Sequence, residues 1–220
     1  ELVEAAARRG AVLSEGLGDT RRPCVAVLGR NSVTYVEWLL ACAHHGADVV
    51  LLNPMLATEQ RVSAAGGRRP HVVVCDDEFE PAVADAGLVA VSINTRPQRP
   101  VRLGTRARFS RVRRRHRATV VLMTSGTGGP AKLVTRDPSR IAHVSTALSL
   151  VERLDVRAGE PTLLTLPLLH GHGLATLGLT LAMGAPLHLA SSTQGDELLE
   201  EIRAQRIAVA VLVPTILHRL

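Results

Sequence analysis

The residues with the most chemistry per position lie between Thr119 and Val134, where the chain reads TVVLMTSGTGGPAKLV. Thr124, Ser125 and Thr127 bring hydroxyls, Gly126, Gly128 and Gly129 bring backbone freedom, and Lys132 is the only lysine in the chain. Glycines let backbone N–H groups turn toward one point, because no Cβ blocks the positive-φ conformations that such a nest requires. Hydroxyls add donors, and one ammonium adds a compact positive charge. That combination cradles a polyphosphate. Spacing excludes two other phosphate loops. A Walker loop sets Gly directly before Lys and Ser or Thr after it, whereas Ala131 and Leu133 flank Lys132. A dinucleotide fingerprint needs G-x-G-x-x-G, which Gly126-Thr127-Gly128-Gly129 does not supply. The same letters also read as an ordinary Gly-rich turn between two strands.

A second constellation is Pro167-Leu168-Leu169-His170-Gly171-His172-Gly173-Leu174. His-x-His suggests metal, but two imidazoles with no third ligand nearby fall short of a zinc site. Their other reading is a pair of histidines at a glycine-loosened helix start. No metal-ligating residues are assigned.

TSGTGGPAK resembles the phosphate loop of AMP-forming acyl-adenylate ligases, the acyl-CoA synthetase and luciferase group, whose usual form is T-S-G-T-T-G-x-P-K-G. Thr124, Ser125, Gly126, Thr127, Gly129 and Lys132 fall on that pattern. Gly128 stands for a Thr, Ala131 for the Pro and Leu133 for the closing Gly. Pro167–Leu174 resembles the family's P-L-F-H-x-x-G-L segment, with His170 on the His and Leu169 in place of the aromatic. VAVLGRNSVTYVEWLLACAHHGADVVLLNP is similar to the family's early segment and is less diagnostic. The resemblance implies a two-step reaction. A carboxylate attacks the α-phosphate of Mg-ATP to give an acyl-adenylate, and a thiol, usually coenzyme A, then takes the acyl group. It assigns Thr124, Ser125, Gly126, Thr127, Gly128, Gly129 and Lys132 to the triphosphate, and His170 to the acyl and adenylate pocket. It implies ATP, Mg2+ and coenzyme A as cofactors and a small carboxylic acid, fatty or aryl, as partner. The family's Y-G-x-T-E segment does not occur. The sequence is therefore expected to be a partial N-terminal domain, inactive by itself in forming acyl-CoA.

These residues need elements to hold them. Thr119–Met123 reads as a buried strand leading into the loop. Earlier, Cys24–Leu28, Asp48–Leu52, Val72–Cys75 and Leu88–Ile93 are apolar runs separated by helical patterns. Asn31 or Ser32 caps the first of these, which runs through about Ala43, and Thr58-Glu59-Gln60 starts the next. Continuous Val-rich runs alternating with helices predict α/β architecture, a mainly parallel sheet with helices on both faces. The first residues predict a short helix ended by Gly10. After the loop, Asp137 and Pro138 are placed to start a helix, and Pro161–Leu166, Pro186–Ala190 and Ile207–Val213 read as strands. Pro214 opens one more helix. The expected division is 1–95 as a first βαβ half, 96–117 as an Arg-rich connector, and 118–220 as the phosphate-loop and acyl-pocket half.

Composition bounds the partners. The chain has 220 residues, 46% hydrophobic but only 2% aromatic, so its core is built from Ala, Val and Leu. A net charge of +6 and a pI near 10.4 raise nucleic acid or an anionic surface as partners. Arginines crowd 96–117, and no acid occurs between Asp85 and Asp137. Such a cluster neutralises phosphates, yet only Phe109 lies within it to stack a base. A solvated connector reads the same letters, so no specific nucleic acid is expected. The alternative function is a non-catalytic nucleotide- or polyanion-binding module. Pro161–Gly195 has no charged residue, but its prolines, glycines and histidines divide it, leaving at most peripheral membrane contact. Cys24, Cys42 and Cys75 are scattered, and no apolar leader opens the chain, so a reducing cytoplasm is expected.

Overall fold

The computed structural model describes residues 1–220 apart from 19, 21, 98–117, 125–131, 137–150 and 153–155, and gives the backbone alone for 62, 65, 66, 124 and 132–136. The chain divides into two compact units, Glu1–Asp137 and Pro138–Leu220. The expected boundary at 96–117 therefore shifts. The phosphate-loop strand joins the sheet built by the first 95 residues, and the division falls between Asp137 and Pro138.

The first unit holds α1 (Leu2–Leu17), β1 (Cys24–Leu28), α2 (Val33–His45), β2 (Asp48–Leu52), α3 (Thr58–Arg68), β3 (Val72–Cys75), α4 (Glu80–Asp85), β4 (Ala90–Ser92), β5 (Val120–Thr124) and β6 (Lys132–Arg136). A 3₁₀ turn, Asp77–Phe79, precedes α4. The strand order is β4-β3-β1-β2-β5-β6; β1 to β5 run parallel and β6 antiparallel to β5. Right-handed crossovers explain the layers. From β1 to β2 the chain steps one way and from β2 to β3 the other, so α2 and α3 cover opposite faces. Side-chain alternation agrees. Ala26, Leu28, Val50, Leu52 and Val73 share one buried cluster with Ala64 of α3 and Val83 of α4. Val25, Val27, Val49, Leu51 and Val74 point the other way and are equally buried. A sheet covered on both faces has no reason to alternate polar and apolar residues, which is why its strands read as unbroken apolar runs.

Ser32 caps α2, its hydroxyl accepting the Tyr35 N–H at 3.0 Å, and Gly46 ends the helix in the left-handed conformation at φ 67°. α1 departs from expectation. It runs through Gly10 to Leu17 and ends at Gly18, φ 52°. Gly10 is a close-approach residue rather than a stop, since a Cβ there would lie 3.1 Å from His45 Nε2 of α2. Arg9 pairs with Glu37 at 3.1 Å and lies over the Trp38 ring. Trp38 is fully buried and its indole N–H donates to the Ile93 carbonyl at 2.8 Å, fastening α2 to the chain after β4.

The second unit holds β7 (Thr162–Leu164), α5 (Gly171–Ala182), β8 (Leu187–Leu189), α6 (Gly195–Ala204), β9 (Val209–Val211) and α7 (Pro214–Leu217). Its three described strands are parallel in the order β8-β7-β9. Leu163, Leu198 of α6 and Ile216 of α7 form its buried cluster. Of the helix expected from Asp137 only Val151 and Glu152 are described, and both are helical; residues 98–117 of the Arg-rich stretch lie outside the described residues. No described helix is long and apolar enough to cross a membrane.

Candidate functional site

In the first unit, five parallel strands present their carboxyl ends on one edge, and β5 ends there at Thr124. Open α/β sheets bind ligands at that edge. β5 is held in register by pairing with β2, Val49 to Val120 through Leu51 to Leu122. It is also tied by a carboxylate that sequence reading missed. Asp48 Oδ1 accepts both the backbone N–H and the hydroxyl of Thr119, each at 2.8 Å. The two residues stand 71 apart in the chain, so no local pattern announces the pair.

Thr124 ends β5 and Lys132 begins β6, and the two are direct cross-strand partners. The structure thus brings together the first and last assigned residues of the loop. Ser125, Gly126, Thr127, Gly128 and Gly129 lie outside the described residues, as does the remainder of 125–131. A strand follows the loop, whereas a Walker or dinucleotide loop opens a helix whose N-terminus supplies positive potential.

The carboxyl ends of β1, β3 and β4 carry a different arrangement. Asp76 Oδ2 accepts the Arg30 backbone N–H at 2.9 Å, and the Arg30 guanidinium pairs with Glu78. Asp77 accepts from the Ser92 hydroxyl and from Asn94 Nδ2. A Cβ at Gly29 would lie 2.9 Å from Asp76 Oδ1, so the Asp76 carboxylate packs close against this backbone. These carboxylates are already bonded within the chain, and they fasten neighbouring loops. Among the described residues no group of three or more His, Cys, Asp or Glu could hold a metal ion.

His170 belongs to the second unit, where it caps α5 at the carboxyl end of β7. It is exposed, whereas Leu168 and Leu169 before it are buried. Partial desolvation, and then the charge of His172, hold its pKa below the ordinary imidazole value. A neutral His170 at neutral pH can accept or donate one hydrogen bond at each ring nitrogen.

The profile of the AMP-binding enzyme family matches residues 1–220. The chain belongs to that family. Among curated relatives, 2-succinylbenzoate–CoA ligase of Bacillus velezensis is 27% identical, over 100% of this chain and 44% of the relative. Indoleacetate–CoA ligase of Aromatoleum aromaticum is 29% identical, over 90% of this chain and 41% of the relative. This chain thus spans less than half the length of these relatives. Among solved structures, the o-succinylbenzoate CoA synthetase of Bacillus subtilis, in complex with its acyl-adenylate intermediate, aligns with a TM-score of 0.80 at 22% identity. That alignment covers 99% of this chain and 56% of the synthetase chain. The N-terminal domain of FACL13 from Mycobacterium tuberculosis aligns at 0.75 and 24% identity, over 98% of this chain and 56% of that domain. At such identities the structural likeness shows a shared fold. The AMP-binding family's architecture is the α/β one expected from the apolar runs.

Proposed function

We propose that this chain supplies the triphosphate-holding part of an AMP-forming acid–CoA ligase. In the first step a carboxylate oxygen attacks the α-phosphorus of ATP, the α–β phosphoanhydride bond breaks, and pyrophosphate leaves with its electron pair. In the second, a thiolate attacks the acyl carbonyl and AMP leaves. Charge stabilisation on the phosphates carries most of the first step. Thr124, Ser125, Gly126, Thr127, Gly128, Gly129 and Lys132 hold the triphosphate, and His170 borders the acyl and adenylate pocket. An aryl acid is favoured over a fatty acid, because the curated relatives are named for succinylbenzoate, indoleacetate and ferulate. A cytoplasmic location goes with this reading, and the free thiols Cys24, Cys42 and Cys75 suit it. The polyanion-binding alternative is not favoured, since the family match spans the Arg-rich stretch along with everything else.

One observation carries the proposal. The chain's single lysine is the cross-strand partner of Thr124, across a stretch rich in glycine and hydroxyls. A chain that uses arginine elsewhere keeps the slimmer, strongly hydrated ammonium at this one place. The test follows from that uniqueness. An amine-reactive ATP analogue should label only Lys132 and the N-terminal amine, with Mg-ATP or pyrophosphate protecting Lys132 selectively. Equal labelling rates with and without nucleotide, in a folded chain, would remove Lys132 from the phosphates and the proposal with it.

A further inference from the structure

We propose that Gly173 is a positioning residue for His170, leaving room for the carbonyl that fixes the histidine at the head of α5. The purpose of His170 rests on the ligase reading above; the geometry does not. The Pro167 carbonyl accepts the His170 N–H at 3.1 Å, closing the turn Pro167–His170. Leu168, 0% exposed, and Leu169, 5%, pin that turn to the core. His170 then takes an extended backbone, φ −98° and ψ 151°, and its own carbonyl accepts the Leu174 N–H at 3.1 Å.

Gly173 is buried on the first turn of α5. A Cβ there would lie 2.4 Å from the Pro167 oxygen, 2.9 Å from its carbonyl carbon and 3.0 Å from Leu168 Cα. All three obstacles are backbone, so no side chain can swing aside. The oxygen that holds the His170 N–H is the atom lying against Gly173. A methyl group at 173 must turn the Pro167–Leu168 peptide or lift the first turn of α5, and either movement releases His170 from its bond. Backbone freedom is not the reason for glycine here, because α5 keeps Gly173 in helical conformation. Nor does α5 exclude side chains in general: at Gly178, on the same helix, a Cβ would meet nothing within 4 Å.

The experiment is an NMR titration of the His170 ring in the 220-residue chain, in its present form and as Gly173→Ala and Gly178→Ala, with His170→Gln assigning the signal. His170 should titrate below the ordinary imidazole value of about 6.5. Gly173→Ala should raise its midpoint toward that value as the ring gains solvent. Gly178→Ala should leave it in place. An unchanged His170 midpoint in folded Gly173→Ala overturns the proposal. Loss of the fold in Gly173→Ala, with Gly178→Ala intact, overturns it too, because Gly173 would then serve the fold alone. Carboxylate-dependent exchange of pyrophosphate into ATP, measured separately, bears only on the ligase reading.

Discussion

His45 shows how one side chain can tie stability to pH. It closes α2, and its Nε2 lies 3.3 Å from the Ser14 hydroxyl of α1, close over Gly10. Burial disfavours its charged form, a hydrogen bond to the Gly10 carbonyl opposes that, and His44 adds repulsion, leaving the pKa below the ordinary value. The unfolded chain therefore takes up the proton first as pH falls. The contribution is complete above about pH 6.5 and is lost as pH drops through the folded value. His170 is shifted in the same direction, so the comparison has to isolate His45. Urea midpoints of the parent chain and His45→Gln, followed from about pH 7.5 to pH 5, should converge on acidification. Parallel curves would show that His45 does not couple folding to protons. At this scale the sequence singles out candidates where a residue type is unusual. Lys132 stood out as the sole lysine, and His170 through its motif. Asp48 was silent, because what matters for it is an atom brought near by the fold; Gly173 falls on the glycine of the same motif as His170, but the carbonyl that lies against it comes near only in the fold.

Among the elements, β5 has the most placed on it, since it sets where the loop after Thr124 begins. Two bonds from Thr119 to Asp48 Oδ1 fix its start beside β2. Asp48→Ala leaves a half-buried N–H and hydroxyl without their acceptor and should cost about 1–3 kcal/mol. The urea midpoint should fall at unchanged m-value. If the loop depends on the register of β5, nucleotide protection of Lys132 should weaken in the same variant. A midpoint and a protection both like the parent's would mean that strand pairing alone holds β5. The parallel strands were legible because burial on both faces gave uninterrupted apolar runs. β6 was not, since Lys132–Arg136 offers only Leu133 and Val134 as adjacent apolar residues, and its antiparallel partner is what makes it a strand. α6 was passed over despite local signals: Asp196 and Glu197 in its first turn, Arg203 in its last, and Leu198 buried. α1 was cut short because a helical glycine reads as a stop until a close neighbour explains it.

At the scale of the whole chain, the two units differ in how much they can bury. Unit one has a six-stranded sheet with both faces covered, and Trp38 fully inside. Its buried residues come from four parallel strands and from the helices on each side. Among its described residues unit two has three strands of three residues each, and a cluster in which Leu163, Leu198 and Ile216 are buried while Ala190, Ile202, Ile207, Leu212 and Val213 are only partly so. Apolar burial grows faster than surface as a domain enlarges, so the smaller unit is the marginal one. Conformational entropy is lost at every ordered residue of either unit. Residues 1–137 expressed alone should therefore unfold cooperatively in urea, with Trp38 fluorescence and far-UV circular dichroism giving one coincident transition. Residues 138–220 alone should show a broad, low-amplitude change without a native baseline. The prediction fails if 138–220 folds cooperatively by itself, because core size would then not be what separates the two units.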